Sequence, residues 1–535
     1  MKVIKYYKYL AATSLLLLSS MFFISCEKNL DVAPSKELEG NFFDSENKIQ
    51  RSVGSIYAKM ADMYGPQANQ GGCPITFSIL AGDDITFDGT GSAYETWSGL
   101  TASDNRISRM WQRLYQMAAR ANFVLEKIED PEVNKYYVTN GLKDYNKGEA
   151  LFLRSWVFYK LWDWYRKAPI LDSRVSFDDN TTLPPSEGFA MLDKAIADLE
   201  TAATLLPTSW DSKNLGRVTK NSAYGLLVKC YVLRACYNGK NATDYGKAIT
   251  AFGKIAGASL VASFGDNFDY RTENNSESLF EYQATQQTSG QDNAWLDNDF
   301  GGVGQMGAYY HMWDGHWGNY TTGIYGPSQK LVNAYEAGDP RKDETLTNNA
   351  DNLGWSLWWI SPTWSKFYGY QMVKYTKGER GNKYDQIWSI SSSNNPRLIR
   401  LADVKLAVAE AYLQTGQAGQ ALTQVNDIRS RARNSVSPAS AVPADLATVT
   451  MTDVMNERLR ELAGEDGHRW TDLRRWHAAG FIDLSAWTAA DFGFPAKYDP
   501  ALFKFTVPTN LLYPIPQSEL DANTNMAASG NNPGY

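Results

Sequence analysis

Apolar residues recur every three or four positions through much of this chain, and that spacing predicts helices. Residues 105–129 place Ile107, Met110, Trp111, Leu114, Met117, Ala118, Ala121, Leu125 and Ile128 on one stripe, with Asp104 as a candidate N-cap. The run 149–167, EALFLRSWVFYKLWDWYRK, is apolar or aromatic nearly all the way around, which predicts a helix enclosed on several sides. Residues 189–206 repeat the stripe with Phe189, Leu192, Ile196, Leu199, Ala203 and Leu206, and Pro207 stops it. Two stretches read as paired antiparallel helices of tetratricopeptide type, Ala223 to Ile255 and Leu401 to Ala432. In the second, the helix ends near Gly416 and restarts at once, and Ala409, Ala411 and Ala421 permit close contact. From 260 to 395 the period vanishes into Gly, Asn, Asp, Trp and Tyr, and 63–100 and 434–510 are shorter stretches of the same character. A segment that long without regular pattern is expected to be kept for what it binds.

The N-terminus is apolar in a different way. Lys2, Lys5 and Lys8 precede AATSLLLLSSMFFISC at 11–26, which is too short to span a bilayer comfortably and has no stop-transfer flank. It reads as a signal peptide, and Phe23 to Cys26 resembles a bacterial lipobox whose cysteine takes a diacylglycerol thioether. The expected organisation is a lipoprotein signal peptide at 1–25, a lipidated tether at 26–45 beginning at Cys26, and a single domain at 46–535. Within it a helical scaffold occupies about 46–260 and 396–480, and an irregular ligand-face insertion about 260–395. A lipid anchor places the protein at a membrane surface.

Composition narrows the partners. A formal charge of −7 with no Lys/Arg-rich run argues against nucleic acid, which needs a concentrated positive surface. The 17 Trp and 31 Tyr outnumber the 22 Phe, a bias toward polar-tipped rings that suits a large core and a carbohydrate- or peptide-facing surface alike. Beyond Cys26 the remaining cysteines are Cys73, Cys230 and Cys236, without metal spacing. Cys230 and Cys236 lie six apart on a predicted helix and point away from one another, so free thiols are expected.

The sharpest candidate for a ligand platform is AYYHMWDGHWGNYTTGIYG at 308–326, with Tyr310, Trp313, Trp317 and Tyr320 among its rings. Flat rings stack on the apolar faces of sugars while nearby Asn and Asp bond hydroxyls. The competing reading has the same rings sealing the helical core or meeting a partner protein. A second candidate, AGDDITFDGTGSAYETWSG at 81–99, offers Asp84 and Trp97 to a ligand. Its aspartates are more simply turn formers, since glycosidase chemistry needs two carboxyls held across a bond. His311 and His316 lack a third ligand, the letters GxGxxG at Gly302, Gly304 and Gly307 lack the flanking strand and helix, and Asp292, Asp297 and Asp299 do not form an EF-hand. No metal or cofactor and no catalytic residue is expected. The charged run NERLRELAGEDGHRWTDLRRW at 456–476 reads as a structural lock, with Glu457, Arg458, Glu461, Glu465, Arg469, Asp472 and Arg475 pairing and Leu459, Leu462, Trp470, Leu473 and Trp476 inward.

Taken in order, these strings resemble the RagB/SusD family of outer-membrane nutrient-uptake lipoproteins. The likeness runs from the lipobox through WQRLYQMAARANFVLEKI at Trp111, GEALFLRSWVFYKLWDWYRKAPI at Gly148, GRVTKNSAYGLLVKCYVLRA at Gly216, DPRKDET at Asp339 and LADVKLAVAEAYLQTG at Leu401. It continues through the charged run to LYPIPQSEL at Leu512 and the closing NNPGY. The resemblance implies an all-α body with tetratricopeptide-like helix pairs on one side and long irregular ligand-facing segments on the other. It implies a non-enzymatic protein, lipid-anchored in the outer membrane at the cell surface, that captures glycan for a SusC-like TonB-dependent transporter. Glu27 fits the acidic flank that resembles export signals of Bacteroidetes lipoproteins. A peptide-binding uptake lid and a surface-anchored glycoside hydrolase are the alternatives.

Overall fold

The computed structural model describes residues 39–64, 76–87, 92–175, 182–284, 325–348, 368–375, 394–495 and 497–535. The chain divides into two units, Met1–Ile49 and Gln50–Tyr535. In the first, Glu39–Phe42 is a single helical turn and Lys48 Nζ meets Asp44 at 2.9 Å. Everything below concerns the second unit, whose described part is mostly helical.

The apolar stripe of 105–129 forms α1, Asn105–Glu129. Its start is set by Asp104, whose carboxylate accepts from the backbone N–H of Arg106 at 2.9 Å and of Ile107 at 3.3 Å, satisfying two donors that the first turn leaves free. Of the striped positions, Ile107, Met110, Leu114, Met117, Ala118 and Ala121 have no exposed surface, and Leu125 is half-buried. The run that is apolar all round becomes α2, Leu142–Tyr165, buried from Gly148 to Tyr165 as its pattern requires. Then follow α3, Ala190–Leu205, α4, Lys220–Tyr237, and α5, Ala242–Phe252. A capping box between Thr219 and Ser222 opens α4, and Asn241 caps α5.

Each of these helices lies against the next in chain order, α1 on α2, α2 on α3, α3 on α4 and α4 on α5. The order then jumps. α5 lies against α6, Leu401–Gln414, which pairs with α7, Ala418–Asn434, across the left-handed turn at Gly416. Residues 253–400 are therefore an insertion into a continuing stack of helices, each resting on its neighbours. Cys230 and Cys236 are buried free thiols on α4.

The stretch 434–510, irregular in pattern but overlapping the helical scaffold expected to about 480, contains two helices, α8, Met451–Leu462, and α9, His468–Ala478. Thr450 and Asp453 close a capping box that starts α8, a signal obscured by the Ser- and Pro-rich approach to it. The strands are short and all antiparallel in pairs. β1, Ile85–Phe87, pairs with β3, Tyr325–Pro327; β2, Ser278–Glu281, pairs with β6, Arg397–Arg400; β4, Leu346–Thr347, pairs with β5, Gln371–Met372. Among the described residues no helix is long and apolar enough to cross a membrane.

Candidate functional site

Two segments singled out in the sequence leave from one place. In the β1–β3 ladder Ile85 lies opposite Pro327, Thr86 opposite Gly326 and Phe87 opposite Tyr325. The chain runs out of β1 at Phe87 toward 88–91 and into β3 at Tyr325 from the aromatic run, so both segments begin at the same end of the same two strands. Tyr310, Trp313, Trp317 and Tyr320 themselves lie outside the described residues, as do His311, His316 and Cys26.

The base of this ladder is anchored by charge. Asp83 Oδ1 accepts from Arg469 Nε at 2.5 Å, and its Oδ2 from Arg469 Nη2 at 3.0 Å with Lys330 Nζ 2.6 Å away. Burial opposes its ionisation, but Arg469 and Lys330 outweigh it and bring the carboxyl to about 2. On Asp84 next to it the charge of Arg469 acts only through space, opposed by the like charge of Asp83. Asp84 Oδ2 accepts from the backbone N–H of Gly464 at 2.8 Å, which the left-handed turn at Gly464 aims inward, and burial pushes its carboxyl up to about 6. Ser328 completes the joint, its N–H donating to Asp84 O at 2.9 Å and its hydroxyl to Asp83 O at 2.7 Å. Asp84 is 3% exposed. It sits beneath the ladder, with Oδ2 bound to the Gly464 N–H.

Trp97 is displaced from the ligand face for a similar reason. It ends the short helix Ala93–Thr96 in the left-handed region, φ 60°, which turns its indole inward. There it is 4% exposed, with Trp470 at 5.0 Å, Phe505 at 5.5 Å and Tyr513 at 6.1 Å between ring centroids. An aromatic cluster of this kind is core packing.

Sequence reasoning missed Glu95. Buried and without a cation beside it, it takes a hydrogen bond from the Thr86 hydroxyl and one from Phe87 N at 3.1 Å, bracing the last residues of β1 where the chain departs. Burial pushes its carboxyl up to about 8. Its signal was confined to one letter in a loop, with nothing in the spacing to show that Thr86 would reach it.

The charged run at 456–476 is a lock, as expected: Asp472 pairs within it with Arg458 Nε at 2.6 Å and Arg475 Nη2 at 2.8 Å, and other members pair with distant segments. Glu461 Oε1 accepts from Arg400 Nη1 at 2.7 Å and from Arg431 Nη2, and its Oε2 accepts from Arg341 Nη1 at 3.0 Å. Glu465 accepts from Arg400 and from Lys374 Nζ at 2.8 Å, and Arg431 also reaches Glu277 at 2.8 Å. Burial disfavours the Glu461 charge, yet Arg431, Arg400 and Arg341 hold its carboxyl well below the usual range. Each of these charged side chains is buried and ion-paired among the described residues. Among the described residues no group of His, Cys, Asp and Glu is arranged to hold a metal ion.

Residues 360–535 match the family model described as SusD family, and residues 28–232 match the model described as Starch-binding associating with outer membrane. A SusD-like protein of Bacteroides ovatus is 23% identical over 495 residues, covering 86% of this chain and 81% of the relative. A SusD-like protein of Formosa agariphila is 24% identical over 518 residues, covering 89% and 93%. Among solved structures, a SusD homolog from Bacteroides thetaiotaomicron superposes with a TM-score of 0.75 at 19% identity, over 93% of this chain and 99% of that one. A laminarin-binding SusD-like protein gives 0.69 at 21% identity, over 92% and 100%. Surface glycan-binding protein A from Bacteroides uniformis gives 0.67 at 21% identity, over 90% and 99%. At these identities the structural likeness establishes the helical architecture.

Proposed function

We propose that this chain, which matches SusD-family models over residues 28–232 and 360–535, is a glycan-capturing lipoprotein of the outer membrane surface. It is tethered through Cys26 and hands oligosaccharide to a SusC-like TonB-dependent transporter. The reading draws on the family description that names starch binding and the outer membrane, and on the laminarin-binding and surface glycan-binding neighbours.

The observation that carries it is the β1–β3 ladder. Phe87 lies opposite Tyr325, the described residues next to 88–91 and to the aromatic run in the chain, on a base clamped by Asp83, Arg469 and Lys330. A rigid base lowers the entropy lost when sugar rings settle on Tyr310, Trp313, Trp317 and Tyr320. The protein's work is then retention without bond cleavage, with stacking for the apolar sugar faces and amides for the hydroxyls.

Affinity electrophoresis through gels containing starch, laminarin and other neutral polysaccharides tests the platform. Native protein is expected to be retarded by at least one of them, and Trp313→Ala with Trp317→Ala to lose that retardation by about tenfold or more, as expected for lost aromatic anchors. Unchanged retardation removes these two rings from the binding face. Turnover of the polysaccharide by purified protein would instead establish the hydrolase reading.

A further inference from the structure

A groove of about 560 Å³ opens along α1, away from the β1–β3 ladder in sequence and lined by none of its residues. That volume lies within the range of small-molecule sites. One wall is a single helix face, Ser108, Trp111, Gln112, Tyr115, Gln116 and Ala119, spaced three and four apart. The other is made by Pro169, Leu171 and Leu183 with Ser518 and Glu519 from the short helix Gln517–Ala522.

Its walls are fixed in place. Trp111 stands edge-on to Tyr165 with centroids 4.9 Å apart, and its Nε1 donates to Glu519 Oε2 at 3.2 Å. Glu519 is held from its other oxygen by Asn523 Nδ2 at 3.0 Å. Tyr115 lies 5.1 Å from Trp111, and its hydroxyl donates to Pro169 O at 2.6 Å, fastening one wall to the other. Ser108 and Ser518 hydroxyls face each other across the groove at 3.3 Å. Gln112 and Ala119 are exposed along the rim. The chemistry is thus the half-buried Tyr115 ring with Trp111, 5% exposed, behind it, apolar Pro and Leu, two primary amides and two hydroxyls. Among the described residues no lysine, arginine or histidine lines the groove, so they offer no counter-charge to a phosphate or carboxylate beside Glu519.

We infer that this groove on α1 is a second binding site, for a neutral hydroxyl-rich ligand with an apolar face, namely a short oligosaccharide. Amides and hydroxyls offer both donors and acceptors to sugar hydroxyls, and the single carboxylate supplies an acceptor without demanding a cation. A second weak site raises retention of a long chain through effective concentration when both are engaged. The groove stands on its own residues and does not depend on the loop platform.

The test uses calorimetry of the full chain with maltohexaose, laminarihexaose and cellohexaose. The proteins are the native chain, Gln112→Ala with Ala119→Arg, Trp313→Ala with Trp317→Ala, and all four changes together. Gln112 and Ala119 are exposed, so the groove changes are expected to leave the circular dichroism melting curve in place. The protein with only the platform changes is expected to keep a weak affinity for at least one hexasaccharide, reduced about tenfold or more by adding the groove changes. Equal affinity with and without the groove changes in that background overturns the groove. So does complete loss of binding on the platform changes alone, a result that upholds the loop platform. Binding that is abolished by the groove changes and untouched by the platform changes supports the groove and overturns the platform. A native chain that binds none of the three overturns the groove as a site for neutral hexose chains.

Discussion

The wall built on α1 closes through an apolar stripe, whereas the wall where β6, α7 and α8 meet closes through buried charge. In α1 the contacts are interchangeable in kind, with Ile107, Met110, Leu114 and Met117 each contributing area removed from water. In the second wall Glu461, Glu465, Glu277, Arg341, Arg400 and Arg431 are all nearly inaccessible, and each is tolerable only because its partner is present. The first arrangement degrades by increments. The second fails when a single member is lost, and it also fixes which distant segments must meet, since Arg400 closes the insertion and Glu461 lies 61 residues further on.

The largest expected effect breaks the charged wall. Glu461→Ala leaves Arg341, Arg400 and Arg431 sharing fewer carboxylates in a water-free site, at a cost of about 3 to 5 kcal/mol. Urea denaturation of native and variant chains measures it, and a loss under about 1 kcal/mol would mean that water reaches the cluster, since exposed pairs are worth that little. Leu114→Ala is the matched change in the apolar wall, with an expected loss of about 2 to 5 kcal/mol from transfer and cavity together. The comparison sharpens in salt. Both walls are buried, so neither loss is expected to change much between low and high ionic strength. A Glu461→Ala loss that shrinks in salt would place that wall nearer to solvent than the Leu114 wall.

The same contrast explains what could be read from the letters. α1 was legible to its first residue, because Asp104 and the three-and-four spacing are local facts that reach the structure unchanged. The charged run was legible as a lock, but its partners Arg341, Arg400 and Arg431 were not, since charge pairing over long separations has no period. Trp97 failed for a conformational reason. An aromatic letter in a Gly-rich loop carries no mark of facing in or out, and one left-handed residue turned it toward Trp470. The pairing of Phe87 with Tyr325 was equally hidden, since they are joined only by a three-residue ladder.

Glu95 gives the finest test, because it is a buried charge site in the wall that lacks a countercharge. Its folded carboxyl sits at about 8, well above the ordinary value of 4.5, for the sole strong reason that burial penalises the anion. The native chain therefore binds a proton that the unfolded chain has released between those two values. Stability from this group is full below about 4.5 and is lost as pH rises toward 8, at a limiting slope of about 1.4 kcal/mol per pH unit. Glu95→Gln keeps the shape, keeps an acceptor for Phe87 N and cannot ionise. Its stabilising effect relative to the native chain is expected to be near zero at pH 4.5 and to grow through pH 8, read from urea midpoints across that range. Asp83 runs the other way, since Arg469 and Lys330 bring it to about 2, so its contribution is full above about 3.8 and is lost as pH falls from there through about 2. A Glu95→Gln difference that stays flat from pH 4.5 to 8 would mean that the end of β1 is wet, and the brace beneath the proposed binding mouth would then be no stiffer than a surface loop.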